Sequence, residues 1–489
     1  SSTIYTSPIN ISQNTNIRVA VFQDSLVPSD IHTHSYIFES IANRKIPVVS
    51  IVGDSLIFFS PSSGLLTQSF LPSWEYEVNF EIIDVIPGQN KSQEMGVEIL
   101  QEDEWQAPQK PYNFIARDKY SKKNFNYQLF PGENISSFKS FSLRNAGTDW
   151  GSTLLKDGLT QEVTKSNMNL DNRFYRPASV YLNGVWQGIY NLRVNTDTRY
   201  PQKLYGYDND SINIIKGNGA LEGSPTAYNS WLNLLQTTDL TDSTNYMEMT
   251  NQMDIENYTH HIISLLFFGN QKWSTENSFQ WRSNDVDSKW RWFSRGMDKS
   301  MKSSNINNIL FPFFTHTNGN IDNPEWLTRP FRALLTNTNY RNYFLSELSD
   351  HLYITFSPTL INEKQADMTS LIDSYISNHS ALWNGTGNGY SQPITSYNAW
   401  IDSVTQITNW CLPRSDIIRN SAITYFSEVA SYSNLNIMLQ SPNSGCIAIN
   451  DLVIPKESWS GNYFDSLEFT LTAIPNPGYS FVGWENTGV

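Results

Sequence analysis

The chain has 489 residues, 39% apolar and 13% aromatic, so about two to four packed domains are expected and disorder is excluded. A formal net charge of −14, with no basic run, argues against a nucleic-acid partner, because phosphate contacts need clustered Lys and Arg. No apolar stretch reaches the roughly 18 residues of a membrane span; Ile262 to Phe268 is the most apolar run and reads as core.

Only 16% of residues are charged, and Asn, Ser, Thr and Gln supply the remaining polarity, a balance common in exported proteins. A secreted or cell-surface location is therefore expected, with any targeting segment already absent from a sequence that begins at Ser1. Residues 1–44 alternate apolar and polar positions through Ile9, Ile11, Ile17, Val19 and Val21, which predicts antiparallel strands with one face packed. The stretch SPINISQNTNIRVAVFQDSLVPS resembles the closing strands of small β-sandwich modules found beside exported glycosidases.

Residues 46–145 are strand-like, with IPVVSIVGDSLIFF, EYEVNFEIIDV and MGVEIL bounded by Gly and Pro. Asn183–Gly184 predicts a tight hairpin between two aromatic-rich strands, because both residues accept positive φ. NYMEMTNQMDIENYTHHIISLLFF and PFRALLTNTNYRNYFLSELSDHLY carry apolar residues at helical spacing, and helices continue after Pro358 and around Trp400. Strands first and helices later define an α+β fold for residues 45–430. From residue 433 the chain turns β-rich again. Gly461, Tyr463, Leu471, Ala473, Pro475, Gly478, Tyr479, Phe481 and Trp484 resemble the internalin-type β repeat, in which Gly and Pro fix the turn and aromatics fill a thin core. The expected organisation is thus a core flanked by small β modules at 1–44 and 433–489.

The core resembles the spore-coat CotH family of atypical protein kinases in the order and spacing of several segments. QKPYNFIARDKY, FKSFSLRNAGTDWGSTLLKDGL and RPASVYLNGVWQGIYNLR come first. Residues 270–298 then match the family's catalytic stretch, and FSPTLINEK, ALW and ITNWCLPRSDIIRNSAITYF match its closing helices. The resemblance implies phosphoryl transfer from ATP through Mg²⁺, which needs cations on the phosphates and oxygen ligands for the metal. It places Asp298 as the catalytic carboxylate, Asn277 and Asp298 as metal ligands, and Lys110, Arg144, Lys156 and Asp157 at the nucleotide. Three acidic positions of the family are replaced, by Lys272, Gly296 and Val194, and a Lys neither accepts a proton nor holds Mg²⁺.

Each candidate also has a plainer reading. Asp298 reads as a solvated loop carboxylate, Asn277 as a turn hydrogen bonder and Lys156–Asp157 as a helix ion pair. Arg144 reads as a structural Arg paired with Asp149 or Asp157, and Lys110 as a surface Lys. His260 and His261 point about 100° apart on a helix and make a poor chelate, while His32 and His34 lack a third ligand. GNGALEG at 217–223 has neither the Lys nor the spacing of a phosphate loop. Cys411 and Cys446 form either one bridge or two buried thiols. Two functional readings follow: a divergent kinase that still binds nucleotide, and a non-catalytic scaffold for a protein, cell-surface or carbohydrate partner.

Overall fold

The computed structural model describes residues 3–39, 44–67, 74–101, 105–270, 273, 277–317, 324–454 and 457–485; Lys272 lies outside the described residues. The chain divides into two compact units, and each draws on separated stretches of sequence.

The first unit comprises Ser1–Leu155, Phe174–Asn195 and Asp367–Ser403. Near its start, β1 (Thr15–Val19) pairs antiparallel with β2 (His32–Tyr36), and residues 3–14 carry no strand. The predicted alternation is thus realised over a shorter span, with Thr33 and Ser35 buried on one face of β2 and His32 and His34 exposed on the other.

Next come β3 (Val48–Val52), α1 (Ser55–Phe59), β4 (Tyr76–Ile83), β5 (Asn90–Ile99) and β6 (Tyr112–Ile115). A short ribbon of β7 (Phe125–Asn126) and β8 (Ser137–Phe138) precedes β9 (Ser140–Arg144). In the second unit lie α2 (Lys156–Thr164) and β10 (Asp171–Asn172), and the chain then returns to the first unit with β11 (Tyr175–Leu182) and β12 (Val185–Val194). Strands β11, β12, β9, β6, β5, β4 and β3 close a barrel in that order, sealed by parallel pairing of β11 with β3. Closure leaves no open edge, and β-branched Val49 and Ile51, on the same face of the sheet as Phe80, are fully buried. Phe80, Phe114 and Phe141 meet there at centroid distances of 4.8, 5.0 and 5.7 Å. The β11–β12 hairpin turns at Asn183 (φ 49°) and Gly184 (φ 80°), where the dipeptide predicts it. Val194 is buried in β12 opposite Phe141, so that position belongs to the apolar core.

The second unit comprises Lys156–Arg173, Thr196–Ala366 and Val404–Val489. After α3 (Arg199–Tyr205), strands β13 (Ile212–Lys216) and β14 (Gly219–Glu222) form a hairpin, which accounts for the glycines at 217–223. Helices α4 (Thr226–Thr237), α5 (Ser243–Thr250) and α6 (Ile255–Phe268) precede β15 (Phe279–Ser283) and β16 (Arg291–Ser294). These strands build a five-stranded sheet in the order β10-β16-β15-β13-β14. The helical pattern at 245–268 breaks because Asp254 caps α6, accepting from the Asn257 amide. Asn337 likewise separates α8 (Glu325–Leu334) from α9 (Thr338–Asp350), after the short α7 (Phe311–Thr315). Beyond α9 the chain makes a π-helical turn, His351–Thr355, closed by Phe356 N–H donating to His351 O at 2.8 Å. The long α10 (Pro358–Trp383) and α11 (Tyr397–Tyr425) each contribute residues to both units.

The last strands are β17 (Tyr432–Met438), β18 (Gly445–Ile449), β19 (Leu452–Val453), β20 (Ser458–Phe464) and β21 (Leu471–Pro475). They form a β17–β20 ribbon and a β19-β18-β21 sheet. Tyr463 is buried in their core, but Tyr479, Phe481 and Trp484 are about half exposed. The expectation that those three aromatics fill a core fails, because no strand forms among the described residues after Pro475 to cover them. Cys411 and Cys446 are both free thiols, so the bridge is absent, and of the two only Cys411 is buried as expected.

Candidate functional site

The predicted catalytic stretch converges on one turn in the second unit. Gly296, in the left-handed region at φ +69°, starts a single turn of 3-10 helix, Met297–Lys299, that carries Asp298. Two other segments grip this turn. Asn270, at the end of α6 and 1% exposed, donates from Nδ2 to the Gly296 carbonyl at 3.2 Å and lies 3.0 Å from Met297 Sδ. The Met297 N–H donates to Asp157 Oδ1 at 3.1 Å from the first turn of α2. Asp298 itself is only 2% exposed, so it is not the solvated loop carboxylate of the plainer reading.

Asn277 completes the arrangement in an unexpected way. A Cβ built on Gly296 would lie 2.8 Å from both Cγ and Oδ1 of Asn277, closer than real contacts allow. The space for a side chain at position 296 is therefore taken by the Asn277 carboxamide. Its Nδ2 is buried and has no hydrogen-bond partner. Immediately before Gly296, Arg295 stacks 3.6 Å from the Phe279 ring and donates to Thr196 Oγ1 at 2.7 Å. The sequence pattern assigns no role to Arg295 or Asn270.

Of the predicted residues, Lys156, Asp157, Asn277 and Asp298 belong to the second unit, and Lys110 and Arg144 to the first. Lys110 is half-buried rather than a surface Lys: its Nζ donates to the Trp105 carbonyl at 3.2 Å, and burial pushes its pKa down. Arg144 ends β9, paired with Asn191 of β12, and is 4% exposed. Asp285 lies in a turn, and Asp287 pairs with Arg291 at 2.5 Å, as turn residues would.

A second polar cluster escaped the sequence reading. His260 of α6, Glu347 of α9 and His351 place their ligand-type atoms within 4.8 Å of one another. The sequence suggested only the His260–His261 pair, since the partners lie a further 87 and 91 residues along the chain. Hydrogen bonding at His260 opposes metal ligation by that residue. His260 Nδ1 accepts the Asn169 N–H at 2.8 Å, so in the neutral ring Nε2 carries the proton and donates to Glu347 Oε2 at 3.0 Å. A metal-bound His needs the opposite arrangement, with the distal nitrogen donating. Burial raises the Glu347 carboxyl, but hydrogen bonds and charge from His260 and His351 outweigh it and bring the pKa to about 2.

The model described as CotH kinase protein matches residues 103–418, nearly two thirds of the chain, and the chain belongs to that family. A second model, described as Fn3 associated, matches residues 1–36. No curated protein matches the chain.

Family membership raises the question of ATP and Mg²⁺, and the turn gives a physical answer for the metal. Mg²⁺ demands near-octahedral oxygen coordination and is usually held by one or two carboxylates together with phosphate oxygens. Here Asp298 is the carboxylate at the turn, Asp157 spends Oδ1 on the Met297 amide, and Gly296 supplies none. An amide fills the slot in which a carboxylate at 296 would sit. Asp298 and Asp157 are therefore the two carboxylates at this turn, and position 296 adds none.

Proposed function

We propose that this chain is an exported member of the CotH kinase family whose nucleotide and magnesium site has degenerated, leaving a scaffold that binds a protein or cell-surface partner. The observation that carries this reading is the Asn277 carboxamide packed into the side-chain space of Gly296. A site that had merely lost a carboxylate would leave a vacancy for water or metal. Here the loss is built into the packing, with Asn270 and Asp157 fastening the turn in that form.

The low charge content, the match to the Fn3-associated model at residues 1–36 and the terminal β segments support a secreted or surface location. In this reading residues 1–44 and 433–489 are flanking modules around a core at 45–430. A second reading keeps residual ATP binding. It is favoured by the care with which Asp298 is held, since two hydrogen bonds from separate segments fix its turn. Titration calorimetry with ATP, with and without Mg²⁺, separates the two. The scaffold reading expects no metal-dependent heat.

A further inference from the structure

The family match ends at residue 418, yet the β segment that follows is not an independent appendage. Ile354, from the π-helical turn, sits in one apolar cluster with Ile437, Ile447, Ile449, Ile454 and Tyr463. Trp459 Nε1 donates to the Tyr353 carbonyl at 3.1 Å. Gly461 permits the approach, because a Cβ there would lie 2.3 Å from the Trp459 ring and 2.9 Å from Tyr353 Cβ. At the centre is Asp350, 2% exposed, whose two oxygens contact Tyr463 Oη at 2.6 Å and Asn450 Nδ2 at 2.7 Å.

We propose that residues 432–475 form a proton-sensitive clamp on the turn at 350–354, with Asp350 as its titrating contact. The groups around Asp350 set the sense of the response. Glu347 and His351 flank it on its own helical segment, and His260 of α6 reaches it through Glu347. Asp451 approaches beside Asn450, and Tyr353, which accepts from Arg419 at 2.6 Å, lies beside Tyr463. Burial pushes the Asp350 carboxyl up most; the Tyr463 and Asn450 hydrogen bonds oppose this, while Glu347 and Asp451 add to it, giving about 7.

Asp350 accepts from Tyr463 Oη on one oxygen and from Asn450 Nδ2 on the other, and protonation removes the negative charge from this buried position. When ionised, it places a buried anion near the carboxylates of Glu347 and Asp451. A group whose folded pKa is raised binds its proton more tightly when the clamp is closed. The stabilisation is therefore complete near the ordinary carboxylate range and is lost as pH rises towards 7, with no further change above it.

Hydrogen exchange of the full chain tests this, following the amides of β17 to β20 against those of α6 as an internal reference. After correction for intrinsic exchange, the opening of β17 to β20 should increase about fifty-fold between pH 5 and pH 7, and α6 should not follow. Asp350→Asn, which mimics the protonated acid, should abolish the change. A pH-independent module in the unaltered chain, or the same dependence in Asp350→Asn, overturns the proposal. Should that variant fail to fold, the exposed Asp451→Asn substitution should shrink the response, and an unchanged response overturns it equally.

Discussion

Replacing Gly296 by Ala tests whether the packing of Asn277 has closed the family's acidic slot. The substitution holds a non-glycine residue at φ +69°, which costs roughly 1–2 kcal/mol. It also drives the new methyl to 2.8 Å from Asn277 Cγ and Oδ1 and 3.2 Å from its Cβ, and overpacking of that kind costs about 1–3 kcal/mol. Together these give a loss of about 2–5 kcal/mol. Pairing the change with Asn277→Ala removes the clash but not the backbone cost, so the double variant should recover about 1–3 kcal/mol. The assay is urea denaturation followed by tryptophan fluorescence, compared across all four members of the cycle. Gly296→Ala within about 0.5 kcal/mol of the unaltered protein, or the same loss with Asn277 truncated, would refute the packing argument. By the same reasoning Gly296→Asp should destabilise the protein without restoring a metal site.

Two further outcomes follow from the second unit. Cys411 is buried, and burial pushes its thiol up to about 12, whereas Cys446 is partly exposed. A thiol reagent should therefore modify one cysteine in the native protein and two after denaturation, and reductant should leave the melting temperature unchanged; a single unreactive pair in denaturant would show a bridge instead. His261 is buried without a partner for Nε2, and burial holds its pKa down to about 3. Its neutral form is favoured on folding, so stability should fall as pH drops below the ordinary imidazole value towards 3. His261→Leu should flatten that acid slope in a melting-temperature series, and an unaltered slope would remove His261 from the account.

The parts legible in the sequence were those written in local pattern. Asn183–Gly184 encodes its hairpin in two residues, and the β-branched runs at 48–52 and 76–83 encode barrel strands. The breaks at Asp254 and Asn337 were also encoded locally, as caps, but the apolar periodicity runs through them and concealed them. The site was legible only as a set of names. The resemblance singles out Gly296, but the amide packed against it comes from 19 residues away, and no periodicity announces that contact. The same holds for Glu347, brought to His260 by the packing of two helices, and for Asp350, whose partners are 100 and 113 residues downstream. Such contacts depend on tertiary packing, and neither composition nor spacing carries them.

The central claim is that the family fold persists here without its metal-dependent nucleotide site. Isothermal calorimetry of the full chain with ATP, run with Mg²⁺, without it, and in competition with ADP, tests that most directly. The account predicts no heat that depends on Mg²⁺ and no difference between the unaltered protein and Asp298→Ala. Saturable binding that requires Mg²⁺ and disappears in Asp298→Ala would contradict it, and would return the turn at 296–298 to service as a working site.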